Sequence, residues 1–168
     1  MSDAGLTSGY LASFEPSMLL ALELAAGTGE GAGAEQDVPV GAVVLTPEGT
    51  VAGRGRNQCL ATVDPTAHAE IVALRQAART VGSWRLDDHA LVVTLEPCTM
   101  CAGALRSARI RRLVYGAADA RAGAAGSLWD VVRDRRLGPP VEVLGGVLAD
   151  QCGKLLSDFF ERRREQSK

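Results

Sequence analysis

The sequence predicts a layered α/β domain with a mixed sheet, and three observations carry that prediction. Five short β-rich runs alternate with helical runs along the chain. Two of those runs are joined by a five-residue turn and read as an antiparallel hairpin. A third, residues 90–95, is apolar throughout, as suits a strand covered on both faces.

The elements follow in order. Residues 16–26 carry Met18, Leu19, Leu22 and Leu24 at helical spacing after Pro16 and Ser17, and Gly27 ends the run. Residues 27–37, rich in Gly and Ala, read as a loop. Residues 38–45 and 51–56 form the hairpin around Thr46-Pro47-Glu48-Gly49-Thr50. The turn Asp64-Pro65-Thr66 precedes an apolar-periodic run through Ile71, Leu74 and Ala78, which predicts a helix with His68 in its first turn and an end near Gly82.

After the strand at 90–95, Pro97 suits a first helical position, and the helix continues from Cys98 to Ser107. Residues 111–115 read as a strand, 127–132 as a short helix, 141–144 as the last strand and 150–164 as a C-terminal helix.

At 168 residues the chain is expected to be one domain, large enough to bury roughly two-thirds of its unfolded surface, with a flexible stretch over residues 1–15. Four cysteines without paired spacing beyond Cys98 and Cys101 argue against a disulfide framework. No basic segment leads into an apolar run at the start, and no stretch reaches the roughly 18 apolar residues of a membrane span. The expectation is a cytoplasmic protein without a membrane partner.

The chemistry concentrates in a split cluster: His68 and Glu70 in Pro65-Thr66-Ala67-His68-Ala69-Glu70, and Cys98 and Cys101 in Pro97-Cys98-Thr99-Met100-Cys101. One imidazole and two thiolates make three zinc ligands, one fewer than a closed structural site holds. A redox dithiol leaves His68 and Glu70 without a role. A structural zinc lacks a good fourth ligand, since His89, Cys59 and Cys152 stand apart.

Cys98 and Cys101, three apart, share one helical face, and free N–H groups at a helix start favour their thiolates. His68 and Glu70 meet only at a helix end, where both side chains reach one point beyond it. That places a carboxylate beside a metal-bound water, in position for general acid and base work.

His-Ala-Glu followed by Pro-Cys-x-x-Cys resembles the signature of the zinc-dependent cytidine deaminase superfamily. A wider set of segments is similar to the bacterial tRNA-specific adenosine deaminases: Asp37-Val38-Pro39-Val40-Gly41-Ala42, Asn57, Thr94-Leu95-Glu96, Gly123-Ala124-Ala125-Gly126-Ser127-Leu128 and Leu156-Ser157-Asp158-Phe159-Phe160.

The resemblance implies a three-layer α/β/α cytidine-deaminase-like fold with a central mixed five-stranded sheet. It implies one zinc ion per subunit on His68, Cys98 and Cys101, with Glu70 as proton shuttle in the hydrolysis of adenosine to inosine at a tRNA wobble position. It assigns Asn57, Val38, Pro39 and Ala69 to the pocket, with the Ala69 and Cys98 N–H groups orienting the ring. Asp119, Arg121 and Phe159 fall to RNA contact, against a plain turn residue for Asp119 and core packing for at least one of Phe159 and Phe160.

An arginine tRNA anticodon stem-loop and a homodimer packed near the zinc helices are the implied partners. Residues 27–36 are longer and richer in Gly and Ala than the family's usual link, and Arg121-Ala122-Gly123 stands where Lys-Thr-Gly is common.

The formal charge of −2 opposes non-specific nucleic-acid binding, so distribution matters more than the sum. Arg106, Arg109, Arg111 and Arg112 form one cluster, Arg133, Arg135 and Arg136 a second, and Arg162, Arg163 and Arg164 a third. Each has the plain reading of a solvated face; together around one pocket they form a groove. Two rival functions remain: a deaminase of a free base or nucleoside, such as guanine or cytidine, and a non-catalytic zinc and RNA-binding subunit.

Overall fold

The computed structural model describes residues 9–27 and 37–166. Most of the 27–37 loop of the sequence reading lies outside the described residues, as do residues 1–8. Five strands, β1 (Gly41–Leu45), β2 (Val51–Arg56), β3 (Ala90–Leu95), β4 (Arg112–Ala117) and β5 (Glu142–Gly145), form one sheet in the order β2-β1-β3-β4-β5. β1 runs antiparallel to both neighbours, while β3, β4 and β5 are parallel. The expected hairpin is present, closed by Thr46 N–H to Thr50 O at 2.8 Å.

The helices are α1 (Glu15–Ala26), α2 (Cys59–Thr62), α3 (Ala69–Val81), α4 (Thr99–Ser107) and α5 (Ala149–Gln166). Alternation along the strands splits the core in two. Ala42, Val44, Leu91 and Val93 face α3 and α4, whereas Val43, Val92 and Val114 face Met18 and Ala21 of α1 and Cys152 of α5. The expected α/β/α layering with its mixed five-stranded sheet is therefore present. α1 buries Met18, Ala21 and Ala25 at i, i+3 and i+7, leaving Leu19 outside.

α3 lies unusually close to β2. A Cβ at Gly53 or Gly55 would stand 2.3 Å or 2.2 Å from a backbone oxygen of α3, that of Ala73 or Ala69, so only glycine permits the approach that brings the helix start to the end of the strand.

Three expectations are corrected. Residues 127–132 are not helical: their donors are taken by tertiary and turn bonds, among them Ser127 N–H to Glu96 at 3.0 Å, Trp129 N–H to Gly123 O at 3.0 Å and Val131 N–H to Ala124 O at 2.9 Å. Only a 3₁₀ turn over Arg135–Leu137 follows. Residues 38–40 stay outside the ladder, because Pro39 has no N–H and the Val38 carbonyl is taken by Val40 N–H and the Asn57 amide. Within the stretch expected to be flexible, residues 9–15 are held: Phe14 is buried, and the Tyr10 hydroxyl donates to Glu142.

Candidate active site

The two ligand groups open two helices that start at the same end of the sheet. His68 is the N-cap of α3 and Cys98 the N-cap of α4, both in extended backbone conformation. The first helical bonds run from Val72 N–H to His68 O and from Ala102 N–H to Cys98 O, so the amides of each first turn are unused by the helix and aim at the space between. His68 thus sits one position before the first turn in which the sequence reading placed it.

His68 Nδ1 lies 3.7 Å from Cys98 Sγ and 3.5 Å from Cys101 Sγ. The three ligand atoms fall within 4.8 Å of one another, and no other such group occurs among the described residues. One nitrogen and two sulfurs at helix starts suit zinc and leave a position open. The chemistry of that donor set is the fit. Cys98, half-exposed, has its thiol pulled down to about 3 by hydrogen bonds from Cys101 and His68, while Cys101, which donates to Cys98 and is buried, is pushed up. A cation at the focus of the two sulfurs favours the thiolate form of both.

The open side faces a cavity of about 190 Å³. One wall is Val38, Val40 and Asn57; the floor is His68, Ala69 and Glu70; the opposite wall is Leu95, Glu96 and Cys98, with Asp119 and Ala122 at the rim. Glu70 is 4% exposed, and burial is the largest effect on its carboxyl, raising it above the ordinary range. The hydrogen bond that the ring donates to Cys98 is the main cause that raises the His68 imidazole.

Asn57 is held at both ends of its amide: Nδ2 donates to Val38 O at 3.3 Å, and Oδ1 accepts from Cys59 Sγ at 3.2 Å. One N–H and one lone pair are left for a ligand in the cavity.

The other sequence candidates divide. Asp119 lines the cavity, but its Oδ1 accepts the Arg121 and Ala122 N–H groups and so also shapes its own turn. Pro39 is buried beside the wall without lining it, and Arg121 is exposed just outside the rim. Phe159 is 5% exposed in the packing of α5, as expected for at least one of the two rings, while Phe160 is 45% exposed. His89 sits at the start of β3, away from the cluster, with Nδ1 at 2.9 Å from Asp87 O. All four cysteines are free.

Sequence reasoning missed two buried carboxylates. Glu96 accepts the N–H groups of Asp119, Ala125 and Ser127 at 2.9–3.0 Å and the Ser127 hydroxyl. Burial raises its carboxyl, but these four donors outweigh that and leave it below the ordinary range. Asp37 accepts Leu60 and Ala61 N–H at 2.8 and 3.0 Å and so fixes α2 beside Asn57. A charged residue closing an apolar strand was the available signal for Glu96.

Residues 15–117 match the family described as the cytidine and deoxycytidylate deaminase zinc-binding region. The chain is 47% identical over 154 residues to a tRNA-specific adenosine deaminase of Haemophilus influenzae, covering 92% of this chain and 87% of that one. A solved structure from studies of A-to-I editing by tRNA A34 deaminases at the wobble position superimposes with a TM-score of 0.75 at 40% identity, covering 83% of this chain and 97% of the other. A guanine deaminase from Nitrosomonas europaea gives 0.71 at 25% identity, covering 86% and 83%.

Proposed function

The chain belongs to the cytidine and deoxycytidylate deaminase family, and on that premise we propose that it hydrolyses adenosine to inosine at the wobble position of a tRNA anticodon. The observation that carries the substrate is the 47% identity to a tRNA-specific adenosine deaminase over 154 residues, well beyond the family's zinc-binding region.

His68, Cys98 and Cys101 would hold the zinc, which would supply Lewis acidity and lower the pKa of a water to about 7. Glu70, buried in the cavity lining, takes one proton from the attacking water and places it on the ring nitrogen, then takes the second from the new hydroxyl and places it on the departing amine, so that adenosine and water yield inosine and ammonia. A buried carboxyl raised above its ordinary range is suited to both halves of that exchange. Asn57 offers its free N–H and lone pair to the base edge, and Val38 and Val40 exclude water from one side of it. The N–H groups at the start of α3, Ala69 first, orient the ring, while Asp119 and Arg121 meet the flanking backbone.

A cavity of about 190 Å³ takes a single base, whether free or turned out of an RNA loop. The likeness to a guanine deaminase keeps a free-base reading in view. Incubation with an arginine tRNA transcript bearing a wobble adenosine, and separately with free adenosine, cytidine and guanine, discriminates them. Inosine in the tRNA is the expected result; ammonia from the free compounds alone reverses the assignment.

The reading extends to one deaminase domain organised on the single sheet and to a cytoplasmic location, which suits four free cysteines. Among the described residues no helix is long and apolar enough to cross a membrane. A homodimer is part of the same proposal, supported by an apolar hollow beside α3 and α4 where Ile71, Leu74, Ala104 and the exposed Trp84 converge. Sedimentation of the purified chain tests it, with a monomer at micromolar concentration counting against it.

A further inference from the structure

Several arginines of the sequence clusters are already engaged. Arg112 bonds Glu142 at 2.8 Å and lies over the Tyr10 and Phe14 rings, Arg133 pairs with Asp130, and Arg136 with Asp134. Arg109 and Arg111 are exposed and have no hydrogen-bonded acceptor among the described residues. Together with Arg85 and Arg106 they line a second cavity, of about 340 Å³, closed by Asp87, Asp88 and Pro139. It lies at the far end of α4 from the catalytic cavity, where β4 and β5 begin.

The plain alternative, that these cations cap the helix C-terminus, does not apply. The Ala104, Leu105, Arg106 and Ala108 carbonyls already accept the N–H groups of Ala108, Ile110, Arg109 and Leu86. Arg106 instead reaches away from its helix to the Val132 and Pro139 carbonyls at 2.6 and 3.2 Å, and its Nε–H is buried without an acceptor. Asp87 is matched by Arg85 at 2.9 Å. Four guanidiniums against two carboxylates leave two positive charges in excess on a chain whose net charge is −2. A concave, locally positive site with two exposed guanidiniums, those of Arg109 and Arg111, is built for a phosphate oxygen.

We propose that this arginine-lined cavity at the end of α4 holds a backbone phosphate of the same tRNA whose target base enters the catalytic cavity. The eight residue steps from Cys98 to Arg106 span about 12 Å of helix. A strand that places one base at the zinc site therefore presents the cavity with a phosphate only a few nucleotides away. The proposal rests on the tRNA reading of the catalytic site.

The test compares the full-length protein with the double variant Arg109→Asn, Arg111→Ala; asparagine is chosen because residue 109 has φ +67. Binding of the tRNA transcript is measured across a salt series, alongside a hairpin trimmed of its stem. The expected result is several-fold weaker tRNA binding by the variant and a dependence of log K on log salt that is shallower by about 1, with the advantage of tRNA over the trimmed hairpin lost. Arg111→Lys should retain most of the slope. An unchanged slope in the double variant overturns the proposal, as does a site whose only response is stabilisation of the wild type by inorganic phosphate. Altered slopes without any inosine formation leave this site standing and remove the proposed activity instead.

Discussion

Glu96 and Ser127 are joined twice: the Glu96 carboxylate accepts both the Ser127 backbone N–H, at 3.0 Å, and its hydroxyl. Two residues before a zinc ligand, the same carboxylate also takes the Asp119 and Ala125 N–H groups. The loop that rims the catalytic cavity is thereby tied to the segment that links β3 to Cys98. Gly123 is required inside this clamp, since a Cβ there would stand 2.5 Å from both the Glu96 carboxylate and the Asp119 oxygen.

Glu96→Gln should damage the loop more than the fold. The amide keeps one acceptor oxygen and sets an NH₂ against donors, leaving buried N–H groups unmatched at about 1–3 kcal/mol. Thermal unfolding should fall by several degrees, and inosine formation should fall with it. An unchanged turnover would remove Glu96 from the site's architecture.

The same group makes stability depend on acid. Its folded pKa lies below the ordinary value of 4.5, so its contribution is fully present above that value and is lost as the pH falls through the lower folded value. Urea unfolding measured from neutrality down to about pH 3 should show a loss in the wild type that is smaller in Glu96→Gln. Parallel curves for the two proteins contradict the clamp.

Glu70→Ala should keep about one zinc per chain while deamination falls by a factor of at least roughly 10²–10⁴. Metal analysis and inosine formation on the same preparation check it. Turnover near the wild-type level sinks the proton-shuttle role, and loss of metal would make Glu70 a ligand.

His68→Ala and Cys98→Ala should each lose the metal and lower the melting temperature, because ligation is linked to folding. A chelator should abolish activity and added zinc restore it. Full zinc occupancy in both variants would mean that the ligands are elsewhere.

Much of the site was legible because its chemistry is local. A histidine and two cysteines at helix starts are visible in sequence through the turn and proline punctuation that precedes them, and the structure brings those side chains within 4.8 Å. The layering was legible from strands that bury alternate residues on two faces, as Val92 and Val93 do. Residues 127–132 are not the expected helix because local propensity says nothing of the Glu96 carboxylate that captures the Ser127 donors or of the Gly123 and Ala124 carbonyls that take those of Trp129 and Val131. Phe159 and Phe160 are chemically identical in sequence, and only the packing of α5 decides which ring is inside.

By itself the sequence determined the candidate components: three zinc ligands and a carboxylate, each tied to a predictable element boundary, with Asn57 added by the resemblance. The tertiary structure decided what those components face. Gly53 and Gly55 let α3 settle on β2, Asp37 and Glu96 lock the two flanking segments through buried hydrogen bonds, and the arginines separate into matched pairs and a second cavity. Those outcomes depend on contacts between residues far apart in the chain, for which helical and strand periodicity carries no signal.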